Sequence, residues 1–198
     1  MDDLPMHYPV SIAFAITLGA LLVLGVCLIL SLLRPHARVW PPPGRRSWQF
    51  RAVWGLTLIS AAGILLTGVL DWNSGLLGHW LRLPVGTIFV SGGLLFARWG
   101  MATVGVHATL GLEATFVASG PYLWTRNPQY VGDIAALLGW AVLCNSGCTA
   151  WVSMLAVACF ALAPFTEEPW LRGQYGEAYE AYRHRVPRFF GRSEERSV

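Results

Sequence analysis

Two polar islands interrupt an otherwise apolar chain, and they hold the residues able to do chemistry. The first, Ser119 to Tyr130, reads SGPYLWTRNPQY. It combines turn residues (Gly120, Pro121, Asn127, Pro128) with the aromatics Tyr122, Trp124 and Tyr130 and the cation Arg126. The second is the adjacent acidic pair Glu167 and Glu168. Two neighbouring carboxylates can hold an ammonium or lie beside a sulfonium cation, and aromatic faces attract cations. Each group also has a plainer reading. The acidic pair can be solvated at a helix end, and the tyrosines can belong to an interfacial aromatic belt. Taken together, the islands are read as closing over one small molecule at a membrane surface.

Two more ionisable residues lie in or beside apolar segments, where charge is costly and marks candidate function. Asp133 falls one helical turn after Tyr130, on the same face. It either serves a ligand or pairs with Arg126 or Arg98. Arg98 is expected to snorkel toward the aqueous side.

The elements that must position these groups are membrane helices. Of the 198 residues, 55% are hydrophobic and 13% charged, against about 25% charged in soluble domains. The apolar residues come in blocks near spanning length. These blocks predict spans at about Val10–Leu33, Val53–Leu70, Pro84–Gly105, Tyr130–Cys144 and Thr149–Phe165. The fold class expected is all-α: a multi-pass membrane protein with about five transmembrane helices. The last two spans are short and joined by Asn145-Ser146-Gly147-Cys148, which predicts a helical hairpin with Tyr130 and Glu167 as neighbours. Residues 1–105 form the first three helices. Residues 106–198 form a central loop, the hairpin and a tail, one integrated unit. In the tail, Tyr175, Tyr179, Tyr182 and Val186 recur at helical spacing, predicting an interfacial helix that either anchors the tail or covers a site.

Net charge is +3, and every basic residue apart from histidine is Arg. The Arg residues cluster in the first link (Arg34, Arg38, Arg45, Arg46, Arg51) and in the tail. By the positive-inside rule this puts the N-terminus outside and the central loop and tail in the cytoplasm. Nucleic acid is not expected as a partner, because these residues sit in short loops beside membrane segments. The first apolar segment follows Asp2 and Asp3 and is too long for a secretory signal, so a retained helix is expected. Cys27 and Cys159 read as small core residues. Cys144 and Cys148 flank a turn where a disulfide is possible in an oxidising compartment. No metal site is assigned, because these two lack a second Cys or His pair at ligand spacing. Glycine-rich phosphate loops and G-x-S-x-G are missing from the sequence, so any nucleotide cofactor must be bound by the membrane fold itself.

Three pieces in order carry a family resemblance: G-P-Y-x-x-x-R-N-P-x-Y-x-G (Gly120–Gly132), then E-E, then Y-G-x-x-Y-x-x-Y-x-x-x-V-P-R (Tyr175–Arg188). Over about His107 to Arg188 the chain resembles the isoprenylcysteine carboxyl methyltransferase family and the related membrane phospholipid methyltransferases. The resemblance implies a cytoplasm-facing site for S-adenosylmethionine and a lipidic or amphipathic acceptor: a prenylcysteine-like carboxylate, a phospholipid amine, or another amphipathic thiol, amine or acid. Carried over, Tyr122, Asn127, Pro128 and Tyr130 line the cofactor. Ala114, Thr115, Phe116 and Val117 touch it through the backbone, and His107 approaches its polar end. Glu167 holds its amino-acid portion with Glu168 in support. Gly120 and Arg126 belong to the same loop, with Arg126 and Arg188 bracing loop and tail. No catalytic residue is assigned, since the donor is already activated and a base is optional.

The chain also departs from the prenylcysteine pattern. Asn127 stands where R-H-P has its histidine. The position of an Arg thought to meet the substrate carboxylate falls at about Ala163. The N-P-x-Y-x-G run, Leu138-Gly139-Trp140-Ala141 and E-E-P look like phosphatidylethanolamine methyltransferase instead, whereas the tail does not. Two other classes remain open on sequence: a sterol-type membrane reductase using NADPH, and a non-catalytic membrane scaffold. NADPH binding without S-adenosylmethionine binding distinguishes the first. Loss of a protein partner on mutating the central loop distinguishes the second.

Overall fold

The computed structural model describes residues 7–75 and 77–190. Asp2 and Asp3 lie outside the described residues. Within them the chain is all-α, a multi-pass membrane protein with helices α1 (His7–Leu33), α2 (Trp48–Leu70), α3 (Arg82–Thr109), α4 (Pro128–Cys144) and α5 (Gly147–Arg185). Short 3-10 turns occupy Pro35–Ala37 and Gly120–Leu123. Helices α1, α2, α3 and α5 are long and apolar enough to cross a membrane. α4 has 17 residues, about 25 Å at 1.5 Å per residue, a little less than a hydrocarbon core of roughly 30 Å.

Helix boundaries follow local chemistry more than hydropathy. α2 begins at Trp48, ahead of the apolar block, because Ser47 caps it: the Ser47 hydroxyl accepts from the Phe50 N–H at 3.1 Å. The continuous part of α3 ends at its expected limit, Gly105, which adopts φ +81°, ψ 173°, a backbone shape that suits a residue without Cβ. A last short turn carries the element on to Thr109. The larger difference is in α5. Its apolar part runs through Pro164, on past Phe165 and Pro169, to a break at Gly176 (φ +53°), and the expected tail helix follows that break to Arg185. The acidic pair therefore lies inside a helix and not at its end. The tail stays helical because its aromatic face is buried against protein. Tyr179, Tyr182 and Val186 pack with Phe116, Ala118 and Tyr122 of the central loop.

α3 and α4 form the most extensive helix pair, and small residues allow it. A Cβ added at Gly93 would lie 2.6 Å from the Ala136 nitrogen, and one at Gly132 2.8 Å from the Ala97 Cβ. Backbones this close gain dispersion contacts along the whole interface. α5 packs on α4 and α1, and α1 on α2.

One end of the bundle is stitched by the link after α2 and the α4–α5 turn. Asn145, with φ 49° and ψ 53°, ends α4 in the left-handed region. Its amide accepts from the Leu77 N–H at 2.9 Å and donates to the Asn73 side chain at 2.9 Å. Ser146 caps α5 and also donates to Asp71 at 2.5 Å. Cys144 and Cys148 are not disulfide-bonded, and Cys27 and Cys159 are free as well. At the opposite end lie the α1–α2 link, the central loop and the far part of α5, which make contact there.

Candidate functional site

Glu167 and Glu168 are sequence neighbours with different surroundings, because adjacent helical residues point about 100° apart. Glu167 Oε1 accepts from the Trp40 indole N–H at 2.6 Å and from the Tyr130 hydroxyl. The hairpin thus makes Tyr130 and Glu167 neighbours, as its length implies. Tyr130 is seated by Phe160 of α5, with ring centroids 5.7 Å apart. Trp40 comes from the α1–α2 link, and nothing in the sequence pattern pointed to it. The Ser31 hydroxyl accepts from the Val39 and Trp40 N–H groups at 2.9 and 3.0 Å, folding the link back onto α1. Trp40 is 7% exposed and packs with Leu28, Val53, Cys159 and Ala163. A tryptophan directly before a proline run, in a link rich in arginine, is the signal that could have marked it.

Glu168 is committed to structure. Arg188 grips it with a two-point fork, Nε to Oε1 at 2.7 Å and Nη2 to Oε2 at 2.8 Å. Arg126 Nη1 lies 3.1 Å from Oε1. Backbone bonds run alongside. The Arg126 N–H donates to the Pro187 carbonyl at 2.9 Å, and the Thr125 hydroxyl and Asn127 amide donate to the Arg188 carbonyl at 3.0 and 2.9 Å. The central loop is thereby fastened to the tail. Asn127, a predicted cofactor residue, spends its amide N–H on this fastening.

The rest of the loop meets the tail's aromatic face. Tyr175 donates to the Ala114 carbonyl at 2.8 Å, and Tyr182 to the Tyr122 carbonyl at 2.7 Å. Phe116 sits 5.2 Å from the Tyr175 ring and 5.4 Å from that of Tyr182. Burial, and then the charge of Glu167, push the Tyr122 phenol well above its ordinary value, so it stays protonated. Pro128 is buried at the start of α4, and Gly120 opens the 3-10 turn with φ +57°. Val117 is half-buried and Thr115 exposed. His107 is exposed on the last turn of α3. Among the described residues, no side-chain bond joins it to the acidic pair.

Beside Glu167 the helices line a half-open cavity of about 390 Å³. Its walls are mostly apolar, including Leu21, Leu24, Leu65 and Leu94, with Thr57, Ser60, Gln129 and Asp133 among the polar exceptions. Trp40 and Tyr130, the donors to Glu167, form part of the same wall. A carboxylate bordered by indole and phenol rings suits a small organic cation, and the apolar cavity next to it suits a hydrocarbon chain.

Residues 81–178 match the family model described as phospholipid methyltransferase. They take in α3, the central loop, α4 and α5 through the acidic pair. The cobalt-zinc-cadmium resistance protein CzcN of Cupriavidus metallidurans is 31% identical over 144 residues, 71% of this chain. The chain spans 62% of that relative's length. No solved structure matches the chain. Through the matched helices and the polar loop between them, residues 81–178 are similar to the phospholipid methyltransferase family.

Proposed function

We propose that the protein is an integral membrane methyltransferase that uses S-adenosylmethionine and methylates a lipidic or amphipathic acceptor. The observation that carries this reading is the shared wall. Trp40 and Tyr130 fix the Glu167 carboxylate and at the same time line the interhelical cavity. A cationic cofactor at Glu167 and a lipidic acceptor in the cavity are then neighbours.

The residues present fit such a cofactor. Glu167 has one oxygen held by Trp40 and Tyr130, which leaves Oε2 for a cationic group. Tyr122, close enough to feel that charge, adds an aromatic face. When bound, S-adenosylmethionine supplies a methyl on a sulfonium: the carbon–sulfur bond breaks as the bond from carbon to the acceptor's electron pair forms, and sulfur departs as a neutral thioether. The protein's part is positioning and exclusion of water. Glu167 binds the amino-acid portion of the cofactor. Glu168, locked by Arg126 and Arg188, holds loop and tail together over it. Tyr122, Tyr130, Pro128 and the 114–117 run border it. No residue is assigned as a base. The cofactor enters from the cytoplasm and the acceptor from the bilayer, with the Arg-rich link, central loop and tail on the cytoplasmic side.

The test is calorimetric titration of purified protein in detergent with S-adenosylmethionine and its demethylated product. Saturable binding is expected, and Glu167→Ala should abolish it. Equal affinity in the wild type and the variant, or no binding by folded wild type, overturns the proposal.

A further inference from the structure

We infer that Asp133 selects the acceptor by the charge of its headgroup, admitting an amine and rejecting a carboxylate. This rests on the reading that the cavity between the helices receives the acceptor. Asp133 lines that cavity on the same face of α4 as Gln129 and Tyr130. Gln129, one turn earlier, lines the same cavity. Arg126 is bound to Glu168, Arg98 is exposed on α3, and among the described residues Asp133 has no ion pair. The cavity lining contains no Arg, Lys or His.

A carboxylate among apolar walls with no counter-ion is an electrostatic vacancy of one sign. An ammonium entering the cavity completes an ion pair in a medium of low dielectric. A second carboxylate would be desolvated beside a like charge with nothing to neutralise either. Ser60 on α2 offers a headgroup in the cavity a second polar contact. It lines the same cavity and is 4% exposed, yet its buried hydroxyl has no hydrogen-bond partner. Buried hydroxyls are normally satisfied, and a polar headgroup in the cavity would satisfy this one. The cavity also reaches Tyr130 and Trp40. A headgroup held near Asp133 therefore lies toward the Glu167 end, with its chain against Leu21, Leu24 and Leu65.

Trp40, Trp54 and Trp140 line the cavity, so intrinsic fluorescence reports its occupancy. Full-length protein in an uncharged detergent is titrated with hexadecylamine and with palmitate at mildly alkaline pH, where the two differ in the sign of the headgroup charge. Wild type is expected to bind the amine at least about tenfold more tightly, the scale of a desolvated charge partner. Asp133→Asn should erase that preference, mainly by weakening the amine. Equal wild-type affinities, or an unchanged preference in D133N, overturn the inference. If D133N does not yield folded protein, the wild-type pair still decides, because equal affinities sink the idea and a strong amine preference supports it. Cofactor calorimetry is a separate readout. Absent cofactor binding with a preserved headgroup preference removes the methyltransferase proposal alone, and intact cofactor binding with no headgroup preference removes this inference alone.

Discussion

At the scale of single residues, adjacent glutamates divide two tasks. Glu168 is 7% exposed and faces two guanidinium groups. Removing one partner of such a pair leaves buried charge uncompensated, a cost of about 3–5 kcal/mol. Glu167 lacks any cationic partner among the described residues, and Gln at that position keeps an oxygen for Trp40 and Tyr130. Glu168→Gln should therefore lower the thermal midpoint markedly. Glu167→Gln should leave the midpoint close to wild type and weaken cofactor binding at least tenfold, about 1.4 kcal/mol or more. Thermal unfolding and calorimetry on both variants check this, and matching behaviour of the two would refute the division. Sequence showed that the pair stands out and that Tyr130 lies near it. It could not show which glutamate is free, because that depends on Arg188 and Trp40. Trp40 is 127 positions from Glu167, and no local pattern encodes a pairing at that separation. Likewise, Asp133 had two readings on sequence. Coordinates separate them, since Arg126 is committed to Glu168 and Arg98 is exposed.

At the scale of elements, hydropathy located all five helices because lipid demands long apolar runs with every backbone group internally bonded. It misplaced the boundaries that a cap or a continued helix decides. The Ser47 cap extends α2 backward, and α5 continues through Pro164 on past Phe165 and Pro169, whereas the break at Gly105 and the helical tail stand where the pattern put them. The α3–α4 interface was silent on sequence for another reason: its glycines look like gaps in an apolar run, although their lack of a side chain is what brings the helices together. Gly132→Val should force them apart. A Cβ there already lies 2.5 Å from the Ala97 nitrogen, and overpacking of this kind costs about 1–3 kcal/mol. The expected result is a lower thermal midpoint and weaker cofactor binding, because α4 carries Tyr130. An unchanged midpoint would mean the interface yields easily and does not set the position of α4.

For the whole molecule, the two ends of the bundle are built differently. The Asn145 end is closed by short bonds among Asp71, Asn73, Gly75, Leu77, Asn145 and Ser146, so the α4–α5 turn is a fixed pivot. The other end is held by long-range contacts through the acidic pair, between segments that share no helix. A rigid far end lets this near end be organised around a ligand without loss of helix register. Charge follows the same division. Arg34, Arg38, Arg45, Arg46 and Arg51 lie at or beside the near end with the α1–α2 link, whereas the far end has Arg82, tied to the Leu143 carbonyl at 2.6 Å. Positive residues are retained on the cytoplasmic side, so the near end should face the cytoplasm. A green fluorescent reporter fused at the C-terminus should fluoresce in a bacterial inner membrane, and alkaline phosphatase fused there should be inactive. Alkaline phosphatase fused after Ser74, at the opposite end, should be active. The reverse pattern would place Glu167 on the side without S-adenosylmethionine, and it would remove the proposed cofactor together with the proposed orientation.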